Sequence, residues 1–188
     1  MLPPELRPGE AAALRDAGVA VVDGRPRERF AAAHLPGALH VELDDSFATY
    51  VGWLLPWGRP ILLVLDPGQD AVDAVRQLAR IGWDAVRGIL RGVDGWAGER
   101  RPVASVRRAT LADLRVALAR PAAELPVVLD VRDPQEWATG TIPGSMLRFV
   151  ADLGDPAAWG GGNPDGGIHH ICYEVDDIEA TLADLKAK

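Results

Sequence analysis

The sequence is poor in cysteine and in long hydrophobic runs. Its 188 residues include one cysteine, Cys172, which excludes an intramolecular disulfide and a zinc site built from several cysteines. The longest apolar run, Ile61–Leu65, is far too short to cross a bilayer. Residues Met1–Gly18 contain no apolar stretch of the length that a signal peptide requires. We therefore expect a soluble, cytoplasmic protein with no membrane partner.

Lysine is almost missing as well, and charge is distributed unevenly. The two lysines are Lys186 and Lys188, whereas all 18 arginines precede position 151. Residues 1–150 carry 18 basic and 19 acidic residues, a net charge of −1, and residues 151–188 carry two basic and eight acidic residues, a net charge of −6. No basic stripe is present that would favour nucleic acid as a partner. The change in composition suggests that the C-terminal segment has a different origin, as in a fusion.

One pattern of residues occurs twice, at a constant offset of 107 positions. The first copy contains Asp23, Arg25, Phe30, Pro36 and Gly37, and the second contains Asp130, Arg132, Trp137, Pro143 and Gly144. Five matched positions at one offset indicate an internal duplication. The sequence therefore predicts a tandem repeat.

Short apolar runs alternate with helical patterns around the first copy. Val19–Val22 and Ile61–Leu65 have the continuous hydrophobicity of buried parallel strands, and Gln69–Ile81 has helical spacing that ends before Gly82. The other predicted elements are a strand over Ala38–Leu43, a helix over Ser46–Leu55, a strand over Ala85–Leu90 and a helical turn over Val93–Trp96. This alternation predicts an α/β fold with a parallel sheet flanked by helices.

The duplication predicts two α/β domains, of which the second is truncated. The predicted divisions are a first domain at 1–99, a linker at 100–109, a partial second domain at 110–159, a glycine-rich joint at 160–167 and a tail at 168–188. The tail reads as a strand, Ile168–Val175, followed by a helix, Asp176–Lys188. We expect this foreign strand and helix to complete the second sheet. An open sheet edge there would allow a homo-oligomer to form through the tail.

The repeated pattern resembles the signature of the rhodanese family. The stretches that carry the resemblance are Val-Val-Asp23-Gly-Arg25 and Phe30-Ala-Ala-Ala-His34-Leu-Pro36-Gly37-Ala38 in the first copy, and Leu-Asp130-Val-Arg132-Asp-Pro-Gln-Glu136-Trp137 and Gly140-Thr141-Ile142-Pro143-Gly144-Ser145 in the second. Leu78–Trp83 and Gly92–Trp96 resemble the family's closing segments. Ser46–Leu55 resembles rhodanese modules fused to metallo-β-lactamase-like persulfide-oxidising enzymes. The resemblance implies a tandem of sulfurtransferase-family domains whose partner is another protein or a fused hydrolase-like domain.

The resemblance also implies where a catalytic loop would lie. In active rhodaneses a cysteine follows the central strand, and the amides of the next loop and helix stabilise its persulfide. The corresponding loop here, which would be the anion-binding loop, consists of Asp66, Pro67, Gly68, Gln69 and Asp70. Asp66 thus occupies the position of the nucleophile, and a carboxylate cannot carry sulfane sulfur. Pro67 removes one amide and Asp70 adds negative charge. We predict a catalytically inactive module with a structural, regulatory or partner-docking role in sulfur metabolism.

Cys172 leaves an enzymatic alternative open. In one interpretation it lies near the end of the tail strand and is the nucleophile of a thiosulfate or persulfide sulfurtransferase. In the other it is a small hydrophobic residue buried on that strand. Glu174, Asp176 and Asp177 would raise the pKa of its thiol, which favours the second interpretation.

The tail resembles a second family. The stretch from Gly167 to Ala180, with His170, Cys172 and Glu174, is similar to a segment of methylmalonyl-CoA epimerases of the vicinal oxygen chelate superfamily. That resemblance implies an alternative function, a fragment of a metal-dependent epimerase-like protein in which His170 is a metal ligand. One imidazole does not make a metal site, so we predict neither metal nor cofactor.

The remaining motif residues have simple structural interpretations. Asp23 with Arg25, and Asp130 with Arg132, are predicted to pair where a strand ends, and His34 to bridge backbone groups before Pro36 and Gly37. Four tryptophans are predicted to fill a core or a domain interface: Trp53, Trp57, Trp83 and Trp96.

Overall fold

A computed structural model of the protein describes residues 2–121, 128–130, 134–142 and 144–147. Residues 2–106 belong to one compact unit, and the described residues from Arg107 onward belong to another. Several predicted features lie outside the described residues: Arg132, Pro143, the joint at 160–167 and the tail at 168–188 with His170 and Cys172.

The first unit is built on a parallel sheet. Its strands are β1 (Glu5–Leu6), β2 (Ala20–Asp23), β3 (Leu39–His40), β4 (Ile61–Leu65) and β5 (Val86–Arg91). Their order is β1-β5-β4-β2-β3, and every neighbouring pair is parallel. The central strand β4 is buried along its whole length, as its uninterrupted apolar sequence requires in a sheet covered on both faces. The predicted α/β class, with a parallel sheet flanked by helices, is confirmed for this unit.

Helices cover both faces of this sheet. They are α1 (Pro8–Asp16), α2 (Arg27–Ala32), α3 (Phe47–Leu54), α4 (Ala71–Arg80) and α5 (Asp94–Gly98). Successive strand residues point to opposite faces. Leu63 and its odd-numbered neighbours in β4 therefore pack with α3 and α4, whereas Leu62 and Val64 pack with α1, α2 and α5. Trp83 and Trp96 belong to these two cores, but Trp53 and Trp57 do not.

The chain directly after α5 is attached to the first unit. The backbone N–H of His34 donates to the carbonyl of Ala104 and receives the reciprocal bond, each at 2.9 Å. The N–H of Val106 donates to the carbonyl of Ala31 at 2.9 Å. The indole N–H of Trp96 donates to the carbonyl of Pro102 at 2.8 Å. Residues 102–106, within the stretch predicted as a linker, thus supply hydrogen bonds to the first unit.

The second unit repeats part of this geometry. It contains α6 (Leu111–Leu118), β6 (Leu129–Asp130), α7 (Pro134–Thr139) and β7 (Met146–Leu147). β6 and β7 pair in parallel with Leu129 opposite Met146 and Asp130 opposite Leu147, whereas β2 and β3 pair Val22 with Leu39 and Asp23 with His40. Each of these positions, and both ends of α7 relative to α2, is displaced by the same offset of 107 residues that relates the two motifs.

Candidate functional site

Asp23 and Arg25 form a buried ion pair at the carboxyl end of β2. The guanidinium donates from Nε to Oδ1 of Asp23 at 2.9 Å and from Nη2 to Oδ2 at 2.7 Å. Nη2 also donates to the carbonyl of Ala33 at 2.7 Å. Both side chains are almost completely buried, and the two-pronged geometry satisfies the carboxylate on both oxygens. The pair therefore ties the end of β2 to the residue that follows α2.

Two histidines enclose the ring of Phe30 beside this pair. The His34 ring stacks on Phe30 with 3.9 Å between centroids, and His40 lies on Phe30 at 4.4 Å. Nδ1 of His34 donates to the carbonyl of Phe30 at 2.8 Å, and Nε2 of His40 donates to the carbonyl of Arg25 at 2.9 Å. Burial lowers the pKa of His34 below its usual 6.5, although its backbone hydrogen bond and Asp23 oppose the shift. His34 is therefore neutral near pH 7 and holds the turn after α2.

The loop from Asp66 to Asp70 leaves the central strand and leads into α4. It lies at the carboxyl edge of the sheet, where ligands bind in open α/β folds. The carboxylate of Asp66 is 21% exposed, and the nearest cationic atom recorded for it is Nε of Arg29 at 3.7 Å. The Arg29 side chain is 70% exposed, so water screens this pair strongly. The position predicted for the nucleophile therefore holds a partly buried carboxylate.

The side chain of Gln69 spans the loop. Its Oε1 accepts from the backbone N–H of Asp66 at 2.8 Å, and its Nε2 donates to the carbonyl of Gly24 at 2.8 Å. The backbone N–H of Gln69 donates to the carbonyl of Asp66 at 3.0 Å. Gly24 stands between Asp23 and Arg25, so Gln69 joins the first motif to the loop. The amides of residues 66 and 69 are consequently bonded within the protein.

Asp70 occupies the amino end of α4. Its Oδ1 accepts from the backbone N–H groups of Val72 at 2.8 Å and Asp73 at 3.2 Å. These are first-turn amides, which otherwise lack a partner in the helix and attract anions. The negative charge of this cap also interacts favourably with the helix dipole. An anion in the loop would therefore have to compete with a carboxylate that is part of the chain.

Arg91 holds the opposite side of the loop, and the sequence reasoning did not identify it. Its Nη1 donates to the carbonyls of Gln69 at 3.0 Å and Asp66 at 3.3 Å, and its Nε donates to Oε1 of Glu5 at 2.7 Å. A usable signal was present, because Arg91 ends a strand parallel to β4 and such ends meet at one edge of a sheet. Arg91 consequently binds loop carbonyls and is itself oriented by β1.

The structure brings together one set of the predicted site residues. The loop residues Asp66–Asp70 adjoin the Asp23–Arg25 motif, while Pro36 and Gly37 lie in the turn that enters β3. Asp130 ends β6 and Gly144 precedes β7 in the second unit, at positions that repeat those of Asp23 and Gly37. Within the described ranges no group of three or more histidine, cysteine and acidic side chains could hold a metal ion.

The fold and the loop define a class of protein, an α/β domain with a candidate ligand-binding loop at the carboxyl edge of a parallel sheet. A parallel α/β sheet carries a tight loop directly after its central strand, and that loop leads into a helix amino terminus at the ligand-binding edge. Residues 7–99 match the sequence model of the family described as Rhodanese-like domain. These residues are a rhodanese-like domain, homologous to sulfurtransferases.

The relatives of this domain differ in how much of their length the match covers. The adenylyltransferase and sulfurtransferase UBA4 of Candida albicans is 34% identical over 85 residues, which are 42% of this chain and 19% of that protein. The thiosulfate sulfurtransferase GlpE of Haemophilus influenzae is 28% identical over 99 residues, 53% of this chain and 92% of that protein. The chain therefore spans about a fifth of the first relative's length and nearly all of the second.

Among solved structures, the chain is similar to the rhodanese-like domain of the Anabaena protein Alr3790. The two are 18% identical, the similarity covers 69% of this chain and 95% of that domain, and the TM-score is 0.46. In the part of the chain that the structure describes, no helix combines the length and apolar character needed to span a bilayer.

Proposed function

We propose that the rhodanese-like domain at residues 7–99 does not transfer sulfur and serves instead as a structural, regulatory or partner-docking module in sulfur metabolism. The observation that carries this proposal is the carboxylate of Asp66 at the end of β4. Sulfur transfer requires a thiolate that attacks a sulfane sulfur and keeps it as a persulfide. A carboxylate oxygen forms no such intermediate, so the loop lacks the atom on which the reaction depends.

The hydrogen bonds of the loop support the same proposal. An anionic persulfide needs free amides around it, but Gln69 occupies the amide of Asp66, and Asp70 occupies those of Val72 and Asp73. Two carboxylates, those of Asp66 and Asp70, also belong to the loop, and an approaching anion would be repelled by both. The loop is therefore stabilised in a state that disfavours an anionic ligand.

We further propose that residues 110–159 are a partial second rhodanese-like domain. The repeated strand register, the equal offset of α2 and α7, and the left-handed backbone of both Gly37 (φ 77°) and Gly144 (φ 80°) support this duplication. A sulfurtransferase that uses Cys172 and an epimerase-like fragment with His170 as a metal ligand stay alternative interpretations of the sequence. The fused hydrolase-like partner, the foreign origin of the tail and the cytoplasmic setting stay predictions.

The direct test measures sulfur transfer to cyanide from thiosulfate or from a persulfide donor. We expect the full chain to show only the background rate, and Cys172→Ser to show the same rate, because the domain contributes no sulfur-carrying atom. A rate above background that disappears in Cys172→Ser would contradict the proposal and establish the enzymatic alternative.

A gain-of-function variant tests the assignment of position 66. In Asp66→Cys combined with Gln69→Ala, a thiol replaces the carboxylate and the amide of residue 66 becomes free. Thiosulfate would then transfer its outer sulfur to that thiolate and release sulfite, which mass spectrometry would detect as one added sulfur atom. Asp84→Cys combined with Gln69→Ala is the matched control, because Asp84 is exposed and precedes β5, away from the loop. Equal persulfide formation in both variants, or none in the first, would contradict the assignment.

A further inference from the structure

A short segment leads from the first unit to the chain that follows it. Residues 102–106, which we call the strap, lie between α5 and Arg107, where the second unit begins. Three residues of the strap carry the hydrogen bonds to the first unit described above: Pro102, Ala104 and Val106. These bonds are spread along the whole strap, so the chain is attached to the first unit until it reaches the boundary.

The chain enters the strap through a strained residue. Arg100 has a backbone φ of 56°, in the left-handed region that residues with a side chain rarely adopt. Such a conformation costs free energy and persists only where neighbouring contacts hold it. The bonds of the strap are contacts of this kind. Their loss would let Arg100 leave the left-handed region, which favours release of the strap.

The strap is bonded to a turn that the buried ion pair also holds. Both backbone groups of His34 pair with Ala104, and His34 directly follows Ala33. The carbonyl of Ala33 accepts from Nη2 of Arg25 at 2.7 Å, and Arg25 is bound through two nitrogens to Asp23. Separating these two buried ions would leave an unpaired charge, which is costly. A shift of the turn therefore moves the pair as a unit instead of breaking it.

The same ion pair is joined to the Asp66 loop. Gly24 lies between Asp23 and Arg25, and its carbonyl accepts from Nε2 of Gln69 at 2.8 Å. Oε1 of the same side chain accepts from the backbone N–H of Asp66 at 2.8 Å. The two bonds are made by opposite sides of one planar amide group. A shift of Gly24 therefore changes the position in which Gln69 holds the loop.

We propose that the strap controls the conformation of the Asp66 loop. The attached strap stabilises the loop in the state in which Gln69 occupies the amide of residue 66, and a displacement of the chain at the boundary with the second unit loosens that state. The inference rests on the proposed function for the importance of the loop. The coupling itself would exist whether or not the loop transfers sulfur, because it is made of hydrogen bonds that do not involve the carboxylate of Asp66.

A second set of contacts at the loop provides an internal reference. Arg91 binds two loop carbonyls from β5, and the N–H of Gly92 donates to the carbonyl of Leu65 at 2.8 Å. These contacts lie next to Asp66 but outside the series of hydrogen bonds that begins at the strap. Exchange of the Gly92 amide therefore measures opening of this edge of the sheet by routes other than the strap.

Amide hydrogen exchange of the full chain, followed by NMR, tests the coupling. Ala104→Pro removes the N–H that donates to His34. We expect the exchange rate of the Asp66 amide to rise by roughly 2- to 30-fold more than that of Gly92, the range typical of coupling through a packed network. Ser105→Pro is the matched control, because the N–H of the exposed Ser105 has no acceptor among the described residues. It should leave the ratio of the two rates unchanged.

A double-mutant cycle with Gln69→Ala shows whether the effect passes through the proposed bonds. In this background the amide of residue 66 has already lost its acceptor, so Ala104→Pro should no longer change the ratio. Circular dichroism establishes that each variant is folded. If Ala104→Pro does not fold, Val106→Pro takes its place with the same expected direction, since it removes the bond to Ala31.

Two results would overturn the proposal. One is an equal rise of exchange at Asp66 and Gly92 when the strap bond is removed, because the variant would then lower the stability of the whole unit without a specific effect on the loop. The other is an effect of full size in the Gln69→Ala background. Neither measurement involves sulfur transfer, so the failure of this proposal and the failure of the proposed function are distinguishable.

Discussion

The environment of His34 links one side chain to the pH dependence of the whole domain. The ring is buried, stacks on Phe30 and uses its Nδ1 proton for the carbonyl of the same residue. The unfolded chain offers no such burial, so its histidine takes up a proton more readily than the folded one. Protonation therefore favours unfolding.

Stability should fall as pH drops through the usual pKa of histidine. Because the folded pKa of His34 is lowered, its contribution is complete above 6.5 and declines as pH decreases from about 6.5 towards the folded value. The slope contributed by one such group is at most about 1.4 kcal/mol per pH unit. His34→Asn can retain the donor to Phe30 without titrating, so its free energy of unfolding should vary less between pH 7.5 and 5.5. Urea denaturation across this range checks the prediction, and identical slopes for the two proteins would refute it.

The sequence predicts that Asp66 directly follows the central strand, as it does in the structure, but it does not predict which contacts close the loop. A strand followed by a turn and a helix is visible in the order of residue types, so the place of Asp66 follows from the pattern. The partner of the Gln69 amide is the carbonyl of Gly24, 45 positions earlier, and the carbonyls that Arg91 binds lie more than 20 positions before it. Such contacts depend on which strands become neighbours in the sheet, and the local sequence pattern does not predict the order of the strands.

Among the secondary-structure elements, α4 begins two residues later than the sequence predicts because of its N-cap. Helical spacing predicts Gln69–Ile81, whereas the helix begins at Ala71 because the Asp70 side chain binds the amides of the first turn. The predicted strand over Ala38–Leu43 is reduced to Leu39–His40, since only those residues pair with β2. Neither β1 nor α1 was predicted. β1 is two residues long and is defined only by its pairing with β5.

The cap of α4 makes a measurable contribution to stability. Asp70→Ala removes the acceptor for Val72 and Asp73 and should lower the free energy of unfolding by about 0.5–2 kcal/mol. Asp70→Asn keeps an oxygen at the same place and should lose clearly less. Urea denaturation near neutral pH measures both changes. If alanine and asparagine cost the same, capping is not the source of the effect.

At the scale of the whole molecule, the first unit extends beyond the residues that match the family. The match ends at residue 99, but Ala104 pairs with His34, Val106 binds Ala31 and Pro102 accepts from Trp96. The guanidinium of Arg101 also lies over the Trp96 ring, 5.2 Å from its centroid. The structural boundary of this unit is therefore set by contacts of the following segment.

A fragment that ends at residue 99 should accordingly be less stable than one that ends at residue 107. Removing residues 100–107 removes the hydrogen-bond partners of both backbone groups of His34, of the Ala31 carbonyl and of the Trp96 indole N–H, and it uncovers Trp96. We expect a cost of roughly 2–3 kcal/mol. Thermal and urea unfolding of the two fragments compare them directly. A fragment of residues 2–107 with Ala104→Pro and Val106→Pro, which removes two of the donors, serves as a control and should resemble the shorter fragment. Equal stability of the two original fragments would refute the prediction.

The proposed duplication is predicted from the sequence alone, because it rests on a regularity of spacing that needs no three-dimensional information. The same offset recurs in the pairing of Asp23 with His40 and of Asp130 with Leu147. The exposure of Trp53 could not be predicted in this way. Trp53 and Trp83 are equally hydrophobic, and only the placement of α3 on the sheet decides which of them water reaches.

The N-terminal strand β1 is seated on a residue without a side chain. A Cβ atom at Gly88 would overlap the side chain of Leu6, and Leu6 pairs with Leu90 of β5. Because Gly88 has no side chain, β1 can pair with β5 and cover the backbone N–H and C=O groups on the outer edge of that strand. A side chain at position 88 would displace β1 and leave β5 as an exposed edge strand, to which a strand from another molecule could add. Arg91 would then also lose its hydrogen bond to Glu5.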